Sequence, residues 1–329
     1  LCDGAWVFSL RAFALAVALS VTASTGAADS IEISFAGPAG TLAGTLEIAD
    51  VPHASALILP GSGPTDRNGN SVLGVHADSY RLLAEALAAS GITTLRIDKR
   101  GIGGSGGDAN AVSLADYRED TAAWLNALQD HVSTDCTWLI GHSEGAIIAL
   151  SSSDLDGVCG LILLTPPGRP LGRIMVDQFR ANPALAPFFE DLEAAVVALE
   201  NGAAPDTSRM PPNLAVMFLP PIVTYLTELV QTDPRQLISD VSLPVLIITG
   251  TSDLQIRPSE ADGLAAAQPD AVTTIINGMT HMFKAAPTLE EAGSFESYVA
   301  ANLATYSDPD LPLHPDLVSA ILAFLATSR

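Results

Sequence analysis

Lysine is nearly absent from this chain: Lys99 and Lys284 are the only two in 329 residues, against 37 acidic side chains. The formal net charge is −22. A surface of that sign repels phosphate backbones and anionic bilayers, so neither nucleic acid nor a charged membrane surface is an expected partner. Cysteine is almost as scarce, with three in the chain. Cys2 lies near the N-terminus, and the remaining Cys136 and Cys159 are too few for a cysteine-rich metal site. No H-E-x-x-H or comparable ligand spacing occurs, so no metal is expected. Internal repeats are missing, and beyond residue 28 no run is long and apolar enough to cross a bilayer.

The N-terminus carries the pattern of a secretory leader. Arg11 precedes an apolar stretch from Ala12 to Val21, and the small residues Thr22 to Ala28 follow. A basic flank, a short apolar segment and a small-residue cleavage region make residues 1–28 an expected signal peptide. The apolar segment is short for a membrane span. The mature chain is then expected to be soluble and exported, periplasmic or extracellular, with no membrane contact after cleavage. Cleavage leaves the net charge unchanged, because Asp3 and Arg11 cancel. In an oxidising compartment Cys136 and Cys159 can pair, since they begin neighbouring parallel strands in the reading below. Two buried free thiols are the alternative.

Strand and helix signals alternate along the rest. Ile31 to Phe35 and Thr41 to Ile48 read as a hairpin around Gly37-Pro38-Ala39-Gly40. Ala56 to Leu59 is short and wholly apolar, as a strand buried on both faces must be. A helix from Ala77 to Ser90 and a strand from Thr93 to Ile97 follow. Then come a helix from Leu114 to Asp130, a strand from Trp138 to Gly141 and another from Gly160 to Leu164. Late in the chain, Val245 to Thr249 and Val272 to Ile276 read as strands, Ser259 to Ala267 and Leu317 to Leu325 as helices. This alternation predicts an α/β fold with a mostly parallel central sheet flanked by helices. Residues 166–235 hold helix signals (Ile174 to Phe179, Phe188 to Leu199, Val223 to Leu229) but no strand. They predict a helical cap inserted after the sixth strand. The expected organisation is core 29–166, cap 167–235 and core 236–329.

Within that frame, Gly141-His142-Ser143-Glu144-Gly145 stands between an apolar strand and a helical run. A strand reversing sharply into a helix leaves little room, so glycines flank a serine whose oxygen is exposed on a strained turn. A serine hydroxyl needs a base to take its proton and an acid to orient that base. His281 follows the last strand in Asn277-Gly278-Met279-Thr280-His281, where a loop can reach back over the sheet. His53, His76 and His131 precede the serine, His142 should point away from its neighbour, and His314 reads as a helix start. Asp253 follows the strand Val245 to Gly250 after a tight turn. Asp240, Asp262 and Asp270 lie before the strand or on solvated surfaces. Ser143, Asp253 and His281 are therefore the candidate catalytic residues.

A tetrahedral oxyanion needs preorganised N–H donors. The backbone N–H of Glu144 follows the nucleophile directly, and Leu59-Pro60-Gly61-Ser62-Gly63-Pro64 ends an early buried strand. Ser62 is the expected second donor, with Gly61 and Gly63 as the adjacent alternatives. The Glu144 side chain needs no reason beyond the favourable helix dipole. Met217 and Phe218, in the apolar string Leu214 to Leu219, and Met282 are candidate pocket residues, although that string can equally pack the cap onto the body. Gly101-Ile102-Gly103-Gly104-Ser105-Gly106 satisfies G-x-G-x-x-G, but the loop continues through Asn110 with no helix to hold a pyrophosphate. Asp98 and Arg100 are expected to brace the loops around the elbow.

The combination Gly61-Ser62-Gly63-Pro64-Thr65-Asp66-Arg67-Asn68-Gly69-Asn70 with Gly141 to Gly145 resembles bacterial, mostly exported serine carboxylesterases of the α/β-hydrolase superfamily. Asp98-Lys99-Arg100-Gly101, Asp253 and His281 follow in the matching order. The resemblance covers nearly the whole mature chain except the cap. It implies the α/β-hydrolase fold and a cofactor-free esterase using Ser143, Asp253 and His281 on a small-molecule ester. Pro60 before Gly61 departs from the common His-Gly pair of the first oxyanion loop. A peptidase or an acyl-CoA thioesterase on the same three residues is the competing activity, with Glu190, Asp191 and Glu193 as potential binders of a substrate amine. A dehalogenase or epoxide hydrolase would carry Asp at position 143.

Overall fold

The computed structural model describes residues 29–328; the expected leader, with Cys2, lies outside them. The chain opens with strands β1 (Asp29–Gly37) and β2 (Gly40–Ile48), joined by the two-residue turn Pro38-Ala39. Gly37 pairs with Gly40, and Gly40 takes a φ of 141° that a side chain would resist. β3 (Ala54–Leu59) follows. A two-stranded ribbon, β4 (Asn70–Ser71) with β5 (Val75–His76), precedes helix α1 (Ser79–Ala88) and strand β6 (Ile92–Ile97). Helix α2 (Leu114–Gln129) starts from a capping box, in which Ser113 and Asp116 satisfy each other's backbone N–H. Strand β7 (Thr137–His142) runs into α3 (Glu144–Ser151), and β8 (Val158–Leu164) comes next.

Between β8 and the following strand lie only helices. These are α4 (Leu171–Ala181), α5 (Phe189–Glu200), the single turn α6 (Pro212–Ala215), α7 (Pro220–Gln231) and α8 (Pro234–Ser239). β9 (Val245–Gly250), α9 (Ser259–Ala267) and β10 (Val272–Ile276) return to the sheet. Two helices without a counterpart in the sequence reading, α10 (Leu289–Ala292) and α11 (Phe295–Ala304), precede the closing α12 (Pro315–Thr327). They are short, and Leu289, Phe295 and Leu303 are exposed, so no apolar face announces them.

The main sheet has eight strands in the order β1-β2-β6-β3-β7-β8-β9-β10. β6, β3, β7, β8, β9 and β10 are mutually parallel, while β2 runs antiparallel to both β1 and β6. β8 is the sixth strand of this sheet in chain order, so the helical insertion begins where the sequence pattern places it. Two apolar layers flank the sheet. One joins Trp124, Leu125 and Leu128 of α2 to Ile148 of α3 and Leu264 of α9. The other joins Leu83 and Leu87 of α1 to Ile321 and Phe324 of α12. At about 25 cal/mol per Å² of apolar surface, these layers supply the main drive for folding.

The insertion has a third core of its own, from α4, α5 and α7 together with Leu214 and Phe218. This corrects the assignment of Met217 and Phe218 to a substrate pocket. Phe218 is buried inside the insertion and Met217 packs against that cluster. Three amphipathic helices must bury their own apolar faces, and the 214–219 string serves that need. Cys136, one residue before β7, is disulfide-bonded to Cys159 in β8. The pair ties two adjacent parallel strands at their N-terminal ends, away from the elbow.

Candidate active site

β7 enters the elbow through Gly141, and α3 leaves it through Gly145. A Cβ on Gly141 would stand 2.4 Å from the Gly145 carbonyl oxygen, and one on Gly145 only 2.2 Å from that of Leu59. Both are impossible contacts, so the tight passage of helix over strand requires glycine at each position. Ser143 between them takes φ 53° and ψ −119°, a strained conformation for a residue with a side chain. Its N–H is anchored to the Leu164 carbonyl at the end of β8. Ser143 therefore stands at the C-terminal ends of the parallel strands, where open α/β sheets place ligands.

His281 is carried by the loop after β10 and is buried. Its Nδ1 lies 2.7 Å from Oδ2 of Asp253, itself 5 % exposed, on the loop after β9. The other carboxylate oxygen of Asp253 accepts N–H bonds from Gln255 and Ile256, at 2.7 and 2.8 Å. That fixes the carboxylate plane, and the plane in turn fixes the imidazole. His281 and Ser143 line one cavity of about 100 Å³, although among the described hydrogen bonds none joins Ser143 to His281. Such contacts commonly tighten only when substrate binds. Asp240, Asp262 and Asp270 are exposed, and His314 caps α12 by accepting the Asp316 N–H.

The first loop lies against the elbow: a Cβ on Gly61 would be 3.4 Å from Ser143 Cβ. The Gly61 N–H donates to the Tyr80 hydroxyl at 2.9 Å, which removes Gly61 from the candidate oxyanion donors. The N–H groups of Ser62 and Gly63 donate to no atom among the described residues. Glu144 opens α3, so its N–H has no intrahelical acceptor.

Three expectations about side chains need correction. His142 does not point away from the site. The turn at Ser143 brings its ring to 4.6 Å from that of His281, and it lines the same cavity. Its Nδ1 lies 2.6 Å from the Tyr80 hydroxyl, while Nε2, near the His281 backbone, closes no hydrogen bond. Burial, aided by the neighbouring His281, holds the His142 imidazole well below the ordinary histidine range. The Glu144 side chain is more than a helix-dipole ornament. It is 3 % exposed, accepts a 2.9 Å hydrogen bond from Tyr225 of α7 and faces Lys99 Nζ at 3.5 Å. Finally, Asp98 braces the 60s loop through Arg67 and the glycine turn through the Gly104 N–H. Arg100, by contrast, clamps α2 through Asp116 and Asp120 and does not brace the elbow.

The cavity wall differs from the expected one. Met282 lines it, as do Val75, Tyr80, Gln255 and Tyr306, and no residue of the helical insertion does. Gln255 donates to the Tyr306 hydroxyl at 2.9 Å, closing the wall. Val75 and Tyr306 come from the short ribbon and from the turn after α11, segments without a periodic signal. Tyr80 stands on the buried face of α1, where the sequence distinguishes it from the leucines beside it by nothing but its hydroxyl. Glu190 is exposed, while Asp191 and Glu193 pair with Arg209 and Arg180 of the insertion, so these carboxylates serve its outer surface. Among the described residues no group of His, Cys, Asp and Glu is placed to hold a metal ion.

A family model described as the alpha/beta hydrolase family matches residues 56–295, most of the chain, including Ser143, Asp253 and His281. The chain belongs to this family. An esterase of Thermotoga maritima, EstD, is 24% identical over 211 residues, which are 64% of this chain and 49% of that protein. The chain thus spans about half the length of that curated relative. Among solved structures, the α/β hydrolase GrgF of a Penicillium species superposes with a TM-score of 0.53 at 18% identity, covering 84% of this chain and 98% of its own. A hydrolase of Pseudomonas aeruginosa gives 0.52 at 19% identity over 90% and 98%. At such identities the structural likeness shows the alpha/beta hydrolase fold alone.

Proposed function

We propose that this alpha/beta hydrolase is an exported serine carboxylesterase acting on short- to medium-chain esters through an acyl-enzyme on Ser143. One observation carries the reading. Ser143, strained at the end of β7, shares its cavity with His281, and Nδ1 of that histidine is held by the buried Asp253. The esterase relative supports ester substrates. The cavity of about 100 Å³ suits a small acyl group, being far below the roughly 300–1,000 Å³ of sites for larger ligands. The Cys136–Cys159 bond is in keeping with export to an oxidising compartment.

In this reading Nε2 of His281 takes the proton of Ser143 Oγ as Oγ bonds to the ester carbonyl carbon. The carbonyl electron pair moves onto oxygen, and the N–H groups of Ser62 and Glu144 receive that charge. Collapse breaks the carbon–oxygen bond to the alcohol, which leaves with the proton held by His281. Water then gives a proton to His281 and adds its oxygen to the acyl carbon. The second collapse frees the acid, and Oγ recovers the proton. Asp253 keeps the imidazole in the Nδ1–H tautomer and stabilises its cation.

The test is a series of p-nitrophenyl esters of increasing acyl length, with aminoacyl amides and an acyl-CoA alongside, on wild type and Ser143→Ala. Short esters are expected to be cleaved fastest, and only by the wild type. Undiminished ester turnover by the alanine variant would falsify the mechanism. Faster cleavage of amides or of acyl-CoA would replace the substrate class.

A further inference from the structure

Lys99 is one of only two lysines in the chain and is 5 % exposed, an unusual place for a side chain that normally stays in water. Its Nζ donates to the Gly61 carbonyl at 2.6 Å and faces Glu144 Oε1 at 3.5 Å. The ring of Tyr117 lies 5.7 Å away. The two contacts bridge both halves of the proposed oxyanion hole, one through the residue before Ser62 and the other through Glu144. Lys99 does not itself line the Ser143 cavity, whereas Ser62 does.

We propose that Lys99 is a positioning residue that locks the Gly61–Ser62 peptide so that the Ser62 N–H faces the oxyanion, with buried Glu144 as its counter-ion. The inference rests on the esterase reading of Ser143. A peptide unit is planar and trans, so its C=O and N–H point in opposite directions. Holding the Gly61 oxygen on the Lys99 side therefore turns the Ser62 N–H away from Lys99, toward the cavity. The Tyr80 hydroxyl holds the preceding N–H at 2.9 Å, so both polar groups of Gly61 are tied. The clamp is needed because the loop is easily turned. Gly61 has no side chain to restrict it, and Gly63 already sits at φ 72°. A rotated peptide would present a carbonyl oxygen to the developing anion and repel it. The cation at the carbonyl end also polarises the unit, making the N–H a stronger donor. A compact ammonium suits this enclosed position better than the broad guanidinium that supplies most other cations here.

The test compares wild type, Lys99→Met and the double variant Lys99→Met/Glu144→Gln, which removes both charges and so leaves no buried carboxylate unpaired. Each is assayed for kcat and KM on p-nitrophenyl butyrate, and for inhibition by a trifluoromethyl ketone that forms a tetrahedral adduct with serine. Circular dichroism verifies folding. A roughly 10- to 100-fold fall in kcat is expected, somewhat less than loss of a donor itself, with KM within about threefold. The ketone should lose affinity in parallel. A folded double variant with near-wild-type kcat and ketone affinity overturns the clamp. So does a fall in kcat while the ketone still binds as tightly. Ser143→Ala serves as the separate control: if it retains turnover, the esterase reading itself fails whatever the Lys99 variants do.

Discussion

Asp253 and His281 meet at 2.7 Å, although 27 residues and a whole helix–strand unit separate them in the chain. The second oxygen of Asp253 is held by two backbone N–H groups. Replacing Asp253 by Asn keeps the shape but offers Nδ1 a donor where an acceptor is needed. Turnover should fall roughly 10⁴-fold with the fold intact. A loss of less than about tenfold in steady-state kcat would show that another carboxylate orients the imidazole.

Gly145→Ala tests the elbow itself. The added methyl would meet the Leu59 and Pro60 carbonyl oxygens at 2.2 and 2.7 Å, backbone atoms that cannot swing aside. Overpacking of this kind costs about 3 kcal/mol or more. Urea unfolding should show the loss and ester turnover should collapse. Unchanged stability would mean that α3 can lift off β3 freely.

The disulfide closes a loop of sequence separation 23. Loop-closure entropy makes that worth about 3 kcal/mol. Cys136→Ser/Cys159→Ser should be less stable by about that amount in denaturant, with activity kept, since the bridge sits at the far end of the strands. Two titratable thiols in the denatured, unreduced protein would instead show that the bridge does not form.

Phe218→Ala should lower stability by about 3 kcal/mol, because the ring fills the insertion's core. It should leave the acyl-length profile of the surviving enzyme unchanged. Met282→Ala should do the reverse, shifting the profile toward longer acyl chains by enlarging the cavity that Met282 lines. A specificity change at Phe218 and none at Met282 would move the substrate site to the insertion.

His142 gives a pH signature. Its folded-state value is depressed by burial below the ordinary 6.5, so an unfolded chain binds a proton there that the folded chain refuses. The resulting stability is present in full above about pH 6.5. It declines as pH falls below that value, by about 1.4 kcal/mol per pH unit until the folded-state value is reached. Urea unfolding of wild type and His142→Gln at pH 7 and pH 5 should differ in slope, the variant losing less on acidification. Parallel losses in the two proteins would exclude His142 as the source.

Much of the fold was legible because its signals are local. Six parallel strands wind with helices on both faces, and wholly apolar runs such as Leu57 to Leu59 can only be buried on both sides. The glycine pair around Ser143 marks an elbow for a steric reason that needs no structure to state. The ends of β9 and β10 likewise point to Asp253 and His281 by position. The helices α10 and α11 carry no such local signal, because their exposed Leu289 and Phe295 break any helical stripe.

What the sequence determined by itself is therefore the winding of the sheet and the order of its candidate catalytic side chains. Hydrophobic period and glycine sterics act over a few residues. The tertiary structure decided everything that depends on which distant atoms share a cavity. It moved Phe218 into a core with Met217 packed against it, brought His142 beside His281, and walled the site with Tyr80, Gln255 and Tyr306. It also placed Lys99 between Gly61 and Glu144. A buried ion or hydroxyl is stabilised only by partners brought to it in space, and those partners leave no periodic trace along the chain.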